Sequence, residues 1–188
     1  MVPLRLISNR HDPDPGSSGK QAEHPCFEAY QREFYYLVRT LRRLGAPPSD
    51  VEDLAQEVFL ILYQSWEKYD PTRPLRAYLA GIAFRVVCNH VRKRKREVLY
   101  AVMEASADGP RPDQALESNQ VRALVVSALK RVPMQRRAVL IMHDIDKLPM
   151  GEIASVLSIY RFTGYSRLHK ARKEFAAAVS SLLGASEP

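Results

Sequence analysis

Apolar residues recur every three or four positions along this chain and nowhere alternate, a period that commits it to helices. Phe27, Tyr30, Phe34, Leu37, Val38 and Leu41 keep that spacing through Arg43, which puts them in one stripe of one helix. Gly45, Pro47 and Pro48 end it. Ser49 and Glu52 stand at capping-box spacing, where each side chain satisfies an amide at the start of the next helix. That second helix is predicted to reach about Tyr69, with Leu54, Val58, Ile61, Leu62 and Ser65 inward and Asp53, Gln56, Glu57 and Gln64 outward. Pro71 and Pro74 then impose a loop. A third helix from Leu75 carries Tyr78, Leu79, Ile82, Val86 and Val87 before turning wholly basic at Arg92 to Arg96.

Between Leu99 and Glu117 the period fades and Gly109, Pro110 and Pro112 appear, which marks a linker. Helical spacing resumes at Val121, Leu124, Val125, Ala128 and Leu129, and Pro133 opens another helix to about His143. After a turn at Asp144 to Lys147, Pro149 starts a short helix holding Ile153, Ala154 and Leu157. A turn at Ser158 to Tyr160 leads into the last helix. The expected fold is therefore all-α, with two small helical domains joined by a flexible acidic linker, the second a helix-turn-helix domain. The expected limits are a disordered tail at 1–23, domains at 24–97 and 119–178, a linker at 98–118 and a tail at 179–188. A chain of 188 residues divided this way has little core to spare in either unit.

The net charge of +7 matters less than its placement, because clustered cations attract a polyanion far better than scattered ones. From Arg85 to Arg96 there are six basic residues and no acidic one; from Glu97 to Gln120 there is one arginine against five carboxylates. From Val121 to Phe175 eleven basic residues face four acidic ones. Two surfaces that meet a polyanion, separated by a strip that does not, account for this pattern. A membrane surface fits less well, since no apolar run approaches the ~18 residues a span requires. The first residues lack the apolar core of a secretory signal, so the expected compartment is the cytoplasm. There Cys26 and Cys88 remain reduced thiols.

Enzyme chemistry finds little support. His24 and Cys26 sit at the mouth of the tail, Cys88 and His90 are spaced too closely to share one helix face, and no glycine-rich phosphate loop is present. No catalytic residue, metal ligand or cofactor is expected.

The end of the chain has a short helix with Glu152, Ile153 and Ala154, a three-residue turn, and a basic helix. In a helix-turn-helix the second helix enters the major groove with its N-terminal residues toward base edges. Arg161, Thr163, Tyr165, Ser166, Arg167, His169 and Lys170 lie on that helix. At 3.6 residues per turn some must serve phosphates rather than bases. The plainer alternative is a solvated basic face over a core stripe of Gly164, Leu168, Ala171 and Phe175.

The segment Leu129, Pro133, Arg136 and Arg137, followed by Glu152, Ile153, Ala154, Leu157, Thr163, Ser166, Arg167, Leu168, Ala171 and Arg172, resembles domain four of extracytoplasmic-function (ECF) sigma factors of the sigma-seventy family. Asp53, Leu54, Gln56, Glu57 and Phe59 resemble the polymerase-binding helix of their domain two, and Tyr78, Leu79, Ile82, Ala83 and Arg92 its promoter-melting helix. The resemblance spans about 24–178. It implies binding to core RNA polymerase through Asp53, Gln56, Glu57, Phe59, Leu60 and Gln64. It implies minus-ten single-strand contacts from Arg73, Arg76, Arg85, Asn89, Arg92 and Lys93, and minus-thirty-five duplex reading by the helix-turn-helix. It also raises the possibility of an anti-sigma partner. For Arg92 to Arg96 the alternative is a basic helix end that counters the helix dipole. For the acidic linker, threading toward the polymerase and remaining merely solvated both stay open. The rival function is a stand-alone helix-turn-helix regulator that acts without polymerase.

Several positions depart from the family pattern: Ser158 where glycine is usual, Tyr160 where proline is common, and Gly164 where a β-branched residue usually packs. In domain two, Tyr78 and Asn89 stand where tryptophan and aspartate are frequent. Glycine inside a helix costs about 0.5–1 kcal/mol relative to alanine, so Gly164→Val is expected to stabilise the C-terminal unit.

Overall fold

The computed structural model describes residues 24–102 and 117–184, with side chains for 24–96 and 120–184. All regular elements among them are helical: α1 (Pro25–Leu44), α2 (Val51–Gln64), α3 (Leu75–Val102), α4 (Glu117–Arg131), α5 (Met134–Leu140), α6 (Met150–Val156) and α7 (Arg161–Gly184). The expected 1–23 tail and most of the expected linker lie outside the described residues. Two expected limits move. Helix α3 continues to Val102, past the start expected for the linker, and α7 continues to Gly184, where a tail was expected from 179. The α7 extension is anchored by the buried Ala178 and by Arg131, which donates to Ser181 Oγ at 3.0 Å.

Local signals explain the first helix well. Pro25 occupies its opening position, His24 Nδ1 accepts from the Cys26 amide, and Gly45 ends it at φ 101°. Only that left-handed turn lets the Ala46 amide reach back to the Leu41 carbonyl, closing the helix end. The expected capping box does not form. Ser49 Oγ instead donates to the Asp50 carboxylate, and a 3-10 turn at Pro48–Asp50 leads into α2. Asp50 in turn pairs with His90 at 2.8 Å and Arg94 at 3.7 Å on α3. Helix α2 also stops sooner than expected, at Gln64. Ser65 Oγ donates to the Ile61 carbonyl, a 3-10 turn covers Trp66–Lys68, and the Tyr78 hydroxyl donates to Ser65 Oγ.

Helices α1, α2 and α3 pack as a three-helix unit around Leu37, Leu41, Val58, Leu62, Leu79, Ile82 and Val86, all essentially inaccessible to solvent. Helices α4 to α7 form the second unit around Leu129, Ile141, Met142, Ile153, Leu168 and Ala171. The helix expected to reach His143 leaves α geometry after Leu140 and continues as a π-helical turn at Ile141–Ile145.

The two units share one continuous core, a union the linker-separated reading did not anticipate. Helix α3 lies so close to α6 that a Cβ added at Gly81 would stand 2.8 Å from Val156 Cβ. Arg137 of α5, only 8% exposed, makes the deepest polar tie. Its guanidinium donates to the carbonyls of Lys130 (2.7 Å) and Val132 (2.9 and 3.1 Å) at the end of α4, and to the Leu44 carbonyl (2.7 Å) at the end of α1. Three orphan helix-end carbonyls are thereby satisfied by one buried cation. Asp146 adds a second tie, accepting from the Tyr36 hydroxyl at 2.8 Å and pairing with Arg43 at 3.4 Å. Burial pushes the Asp146 carboxyl above the usual aspartate range, while Tyr36 and the nearby arginines pull the other way.

Candidate nucleic-acid interface

Helix α3 spends the apolar face of its first half on the core and is exposed from Arg92 to Arg96. Arg85, Asn89 and Arg92 lie four and three residues apart, which aligns them on one solvent-exposed face. With Lys95 they line a groove of about 570 Å³ whose floor includes Phe84 and Cys88 and whose far wall is Met134 and Gln135 of α5. Lys93 is also exposed. Burial raises the Cys88 pKa, so the thiol at the groove floor stays protonated near neutrality. Cys26 is fully buried.

The loop before α3 is built rather than slack. Asp70 Oδ1 accepts from both the amide and the hydroxyl of Thr72, and the Tyr69 hydroxyl donates to the Arg73 carbonyl at 2.8 Å. The Tyr69 ring makes tilted contacts with Trp66 (5.4 Å) and Tyr78 (5.3 Å). Two arginines expected to make single-strand contacts are paired with carboxylates of the protein while their side chains stay partly open to solvent. Arg73 donates twice to Glu152 Oε2 of α6, at 2.7 and 2.9 Å. Arg76 pairs with Glu33 at 2.7 Å and lies 5.1 Å from the centre of the Tyr36 ring. The sequence could not reveal these partners, because one of them lies 79 residues away.

Helix α2 presents Asp53, Gln56, Glu57, Leu60 and Gln64 to solvent. Phe59 sits behind them, half-buried in an aromatic cluster with Tyr30 (4.7 Å), Phe27 (6.3 Å) and Tyr63 (6.4 Å). Its visible work is to brace α2 against α1, which orients the exposed row.

Helix α7 follows a tight turn after α6. Ser158 takes the left-handed conformation at φ 54°, and the Ile159 amide bonds the Ala154 carbonyl at 2.9 Å. That geometry explains why glycine is usual there. Gly164, Leu168 and Ala171 are buried as the stripe predicts, with Phe175 half-buried. Gly164 leaves no vacancy, however, since a Cβ added there would overlap the Met150 thioether. Gly164→Val therefore brings no gain in stability, contrary to the expectation from the sequence, because Met150 already occupies the space its side chain would take.

On the opposite face Arg161, Tyr165, Ser166, His169 and Lys170 are exposed, with Thr163 and Arg167 partly covered. Thr163, Ser166, Arg167 and Lys170 line a hollow of about 420 Å³ beside Pro133, Met134 and Arg136. Arg172 points elsewhere and forms a two-bond clamp on Asp144, at 2.7 and 2.8 Å. The clamp, helped by His143, holds the Asp144 carboxyl down to about 2. A side chain not singled out in the sequence is Phe162, which is 85% exposed in the first turn of α7. Its available signal was an aromatic residue off the buried stripe, between Arg161 and Thr163.

Comparison with known proteins fits this layout. The family model for Sigma-70 region 2 matches residues 26–97, and that for Sigma-70 region 4 matches residues 122–175. The RNA polymerase sigma-E factor of Streptomyces coelicolor is 31% identical over 146 residues, 77% of this chain and 81% of that protein. The ECF RNA polymerase sigma factor SigE of Mycolicibacterium smegmatis is 29% identical over 163 residues, 84% of this chain, and the chain spans 63% of its length. Among solved structures, the sigma factor RpoE of Bartonella quintana in complex with the anti-sigma factor NepR has the same fold, at TM-score 0.62 and 20% identity, covering 81% of this chain and 98% of that one. The chain belongs to the ECF sigma factors of the sigma-70 family.

Proposed function

We propose that this chain binds core RNA polymerase, reads promoter DNA and promotes strand opening at the start of transcription. The observation that carries the reading is the presence of three exposed faces around one continuous core: a polar row on α2, a cationic row on α3 and a cationic face on α7. In this reading Asp53, Gln56, Glu57, Leu60 and Gln64 meet the polymerase, with Phe59 bracing them from behind. Residues 24–97 and 119–178 act as the polymerase-binding and minus-ten unit and the minus-thirty-five unit.

Arg85, Asn89, Arg92 and Lys93 hold the opened non-template strand, where cations track the backbone and aromatic rings accept unstacked bases. Tyr69, Trp66 and Tyr78 supply such rings beside the loop. Arg73 and Arg76 join that contact by exchanging Glu152 and Glu33 for DNA phosphate. Arg161, Thr163, Tyr165, Ser166, Arg167, His169 and Lys170 read and clamp the upstream duplex. Catalysis belongs to the polymerase and the chain works in the cytoplasm; no described helix is long and apolar enough to cross a membrane. The solved RpoE–NepR complex supports an anti-sigma protein as a further partner.

The test is reconstitution. The full chain should co-elute with core polymerase and direct initiation from a cognate promoter. Tight duplex binding with no polymerase association would replace this reading with a stand-alone regulator.

A further inference from the structure

The first turn of α7 carries an apolar surface that packing does not explain. Phe162 is 85% exposed, Tyr165, three residues on, is 56% exposed, and Tyr160 just ahead of the helix is 85% exposed. Residues three apart on a helix are neighbours, so Phe162 and Tyr165 form one aromatic ledge. The helix's packing needs are met on its other side by Gly164, Leu168 and Ala171. The ledge is framed by cations. Arg161, Arg167 and Lys170 have no carboxylate within ion-pair distance among the described residues, and no acidic residue occurs from Ile153 to Lys173. An occupant of this face must therefore be anionic around its edge and apolar at its centre.

Duplex DNA has both properties wherever a thymine C5-methyl group stands in the major groove between two phosphate rows. Hydrogen-bonding side chains gain nothing from a methyl group, whereas an aromatic ring removes it from water. The N-terminal turn of the second helix in a helix-turn-helix is also the part that meets base edges. We propose that Phe162 is a specificity-determining residue that reads a thymine methyl group in the upstream promoter duplex, with Tyr165 extending the same apolar contact. This rests on the reading of α7 as the duplex-reading helix. Arg161, Arg167 and Lys170 supply affinity by neutralising phosphate, and Phe162 supplies preference among sequences.

The experiment uses the full chain, alone and assembled with core polymerase, to select duplexes from a randomised upstream pool. Each thymine of the selected duplex is then replaced singly by deoxyuridine, which removes only the methyl group. The wild-type protein should lose about fourfold in affinity at one or two positions, the effect of re-exposing one methyl-sized group. Phe162→Ala should lose a similar factor on the thymine duplex and be indifferent to deoxyuridine at those positions, while Phe162→Leu retains part of the discrimination. An unchanged melting temperature in both variants separates this from misfolding. Equal wild-type affinity for thymine and deoxyuridine duplexes everywhere, or a deoxyuridine penalty that persists in Phe162→Ala, overturns the assignment. So does Phe162→Ala binding DNA normally while losing core polymerase, which would make the ledge a protein-docking surface. Failure of both preparations to select any duplex would remove the reading of α7 as well.

Discussion

The two cationic faces look alike in the sequence and are built differently. The α3 face needs only that a helix continue past its packed half, since Arg92 to Arg96 are all exposed. The α7 face depends on three local devices: a left-handed serine at 158, a glycine at 164 whose space is filled by Met150, and the Asp144–Arg172 clamp. A face that only has to present charge tolerates rotation about the helix axis. One that aims side chains at base edges, the role proposed for α7, does not, and α7 is fixed at its start, at its first turn and along its flank. Perturbing these devices should therefore disturb reading more than affinity, and the same treatment of α3 should do the reverse.

The largest expected effect removes what holds the two faces in one body. Arg137→Ala leaves three buried helix-end carbonyls without a donor and opens a cavity between α1, α4 and α5. It should cost about 3 kcal/mol or more in urea unfolding. Should the loss stay under about 1 kcal/mol, the two units are not joined by this residue. By contrast, Arg92→Ala combined with Lys95→Ala should leave unfolding within about 0.5 kcal/mol of wild type. It should lower the salt slope of single-strand binding by about 0.7 per residue, without changing sequence preference.

Next comes the packing of the reading helix. Gly164→Val must displace the Met150 side chain, an overpacking that costs about 1–3 kcal/mol, partly offset by the better helix propensity of valine. The double variant with Met150→Ala should be more stable than the two single losses predict, because valine then fills the vacated space. Strict additivity in thermal melts would show that the two positions do not share it. Ser158→Gly runs in the opposite direction. It relieves a left-handed serine and should stabilise the protein by about 1 kcal/mol.

How much of this could be read from the chain follows from the range of each interaction. The helices, the α7 stripe and the turn at Ser158 rest on periodicity and neighbours a few residues apart, so they were legible. The α2 row and the α3 face were legible for the same reason, since exposure of one helix face follows from burial of the other. Glu152 opposite Arg73, Leu44 opposite Arg137 and Asp146 opposite Tyr36 join residues between 79 and 110 positions apart. No local spacing announces them. The capping box failed for a more instructive reason. Its residues are present, but Ser49 bonds the adjacent Asp50, whose carboxylate is wanted by His90 and Arg94 on α3. Tertiary demand on one neighbour decided the local structure. Gly164 is a similar case, a deficit in the sequence made good by a methionine fourteen residues earlier.

The smallest expected effect concerns the flank of α7 and depends on pH. Arg172 and then His143 hold the Asp144 carboxyl at about 2, against an ordinary value near 3.8. A carboxyl lowered by folding stabilises the native state above its unfolded pKa and loses that contribution as pH falls toward the folded value. The window here is from about pH 4 down to about pH 2. Because the pair is partly open to solvent, screening limits its contribution to about 0.5–1 kcal/mol. Asp144→Asn should lower stability by that amount at pH 7, with most of the difference gone by about pH 2 and the remainder below it, so the two stability curves converge on acidification. Curves that remain parallel across this window would mean that the clamp does not fix α7, leaving Ser158 and Met150 to set the direction in which the reading face points.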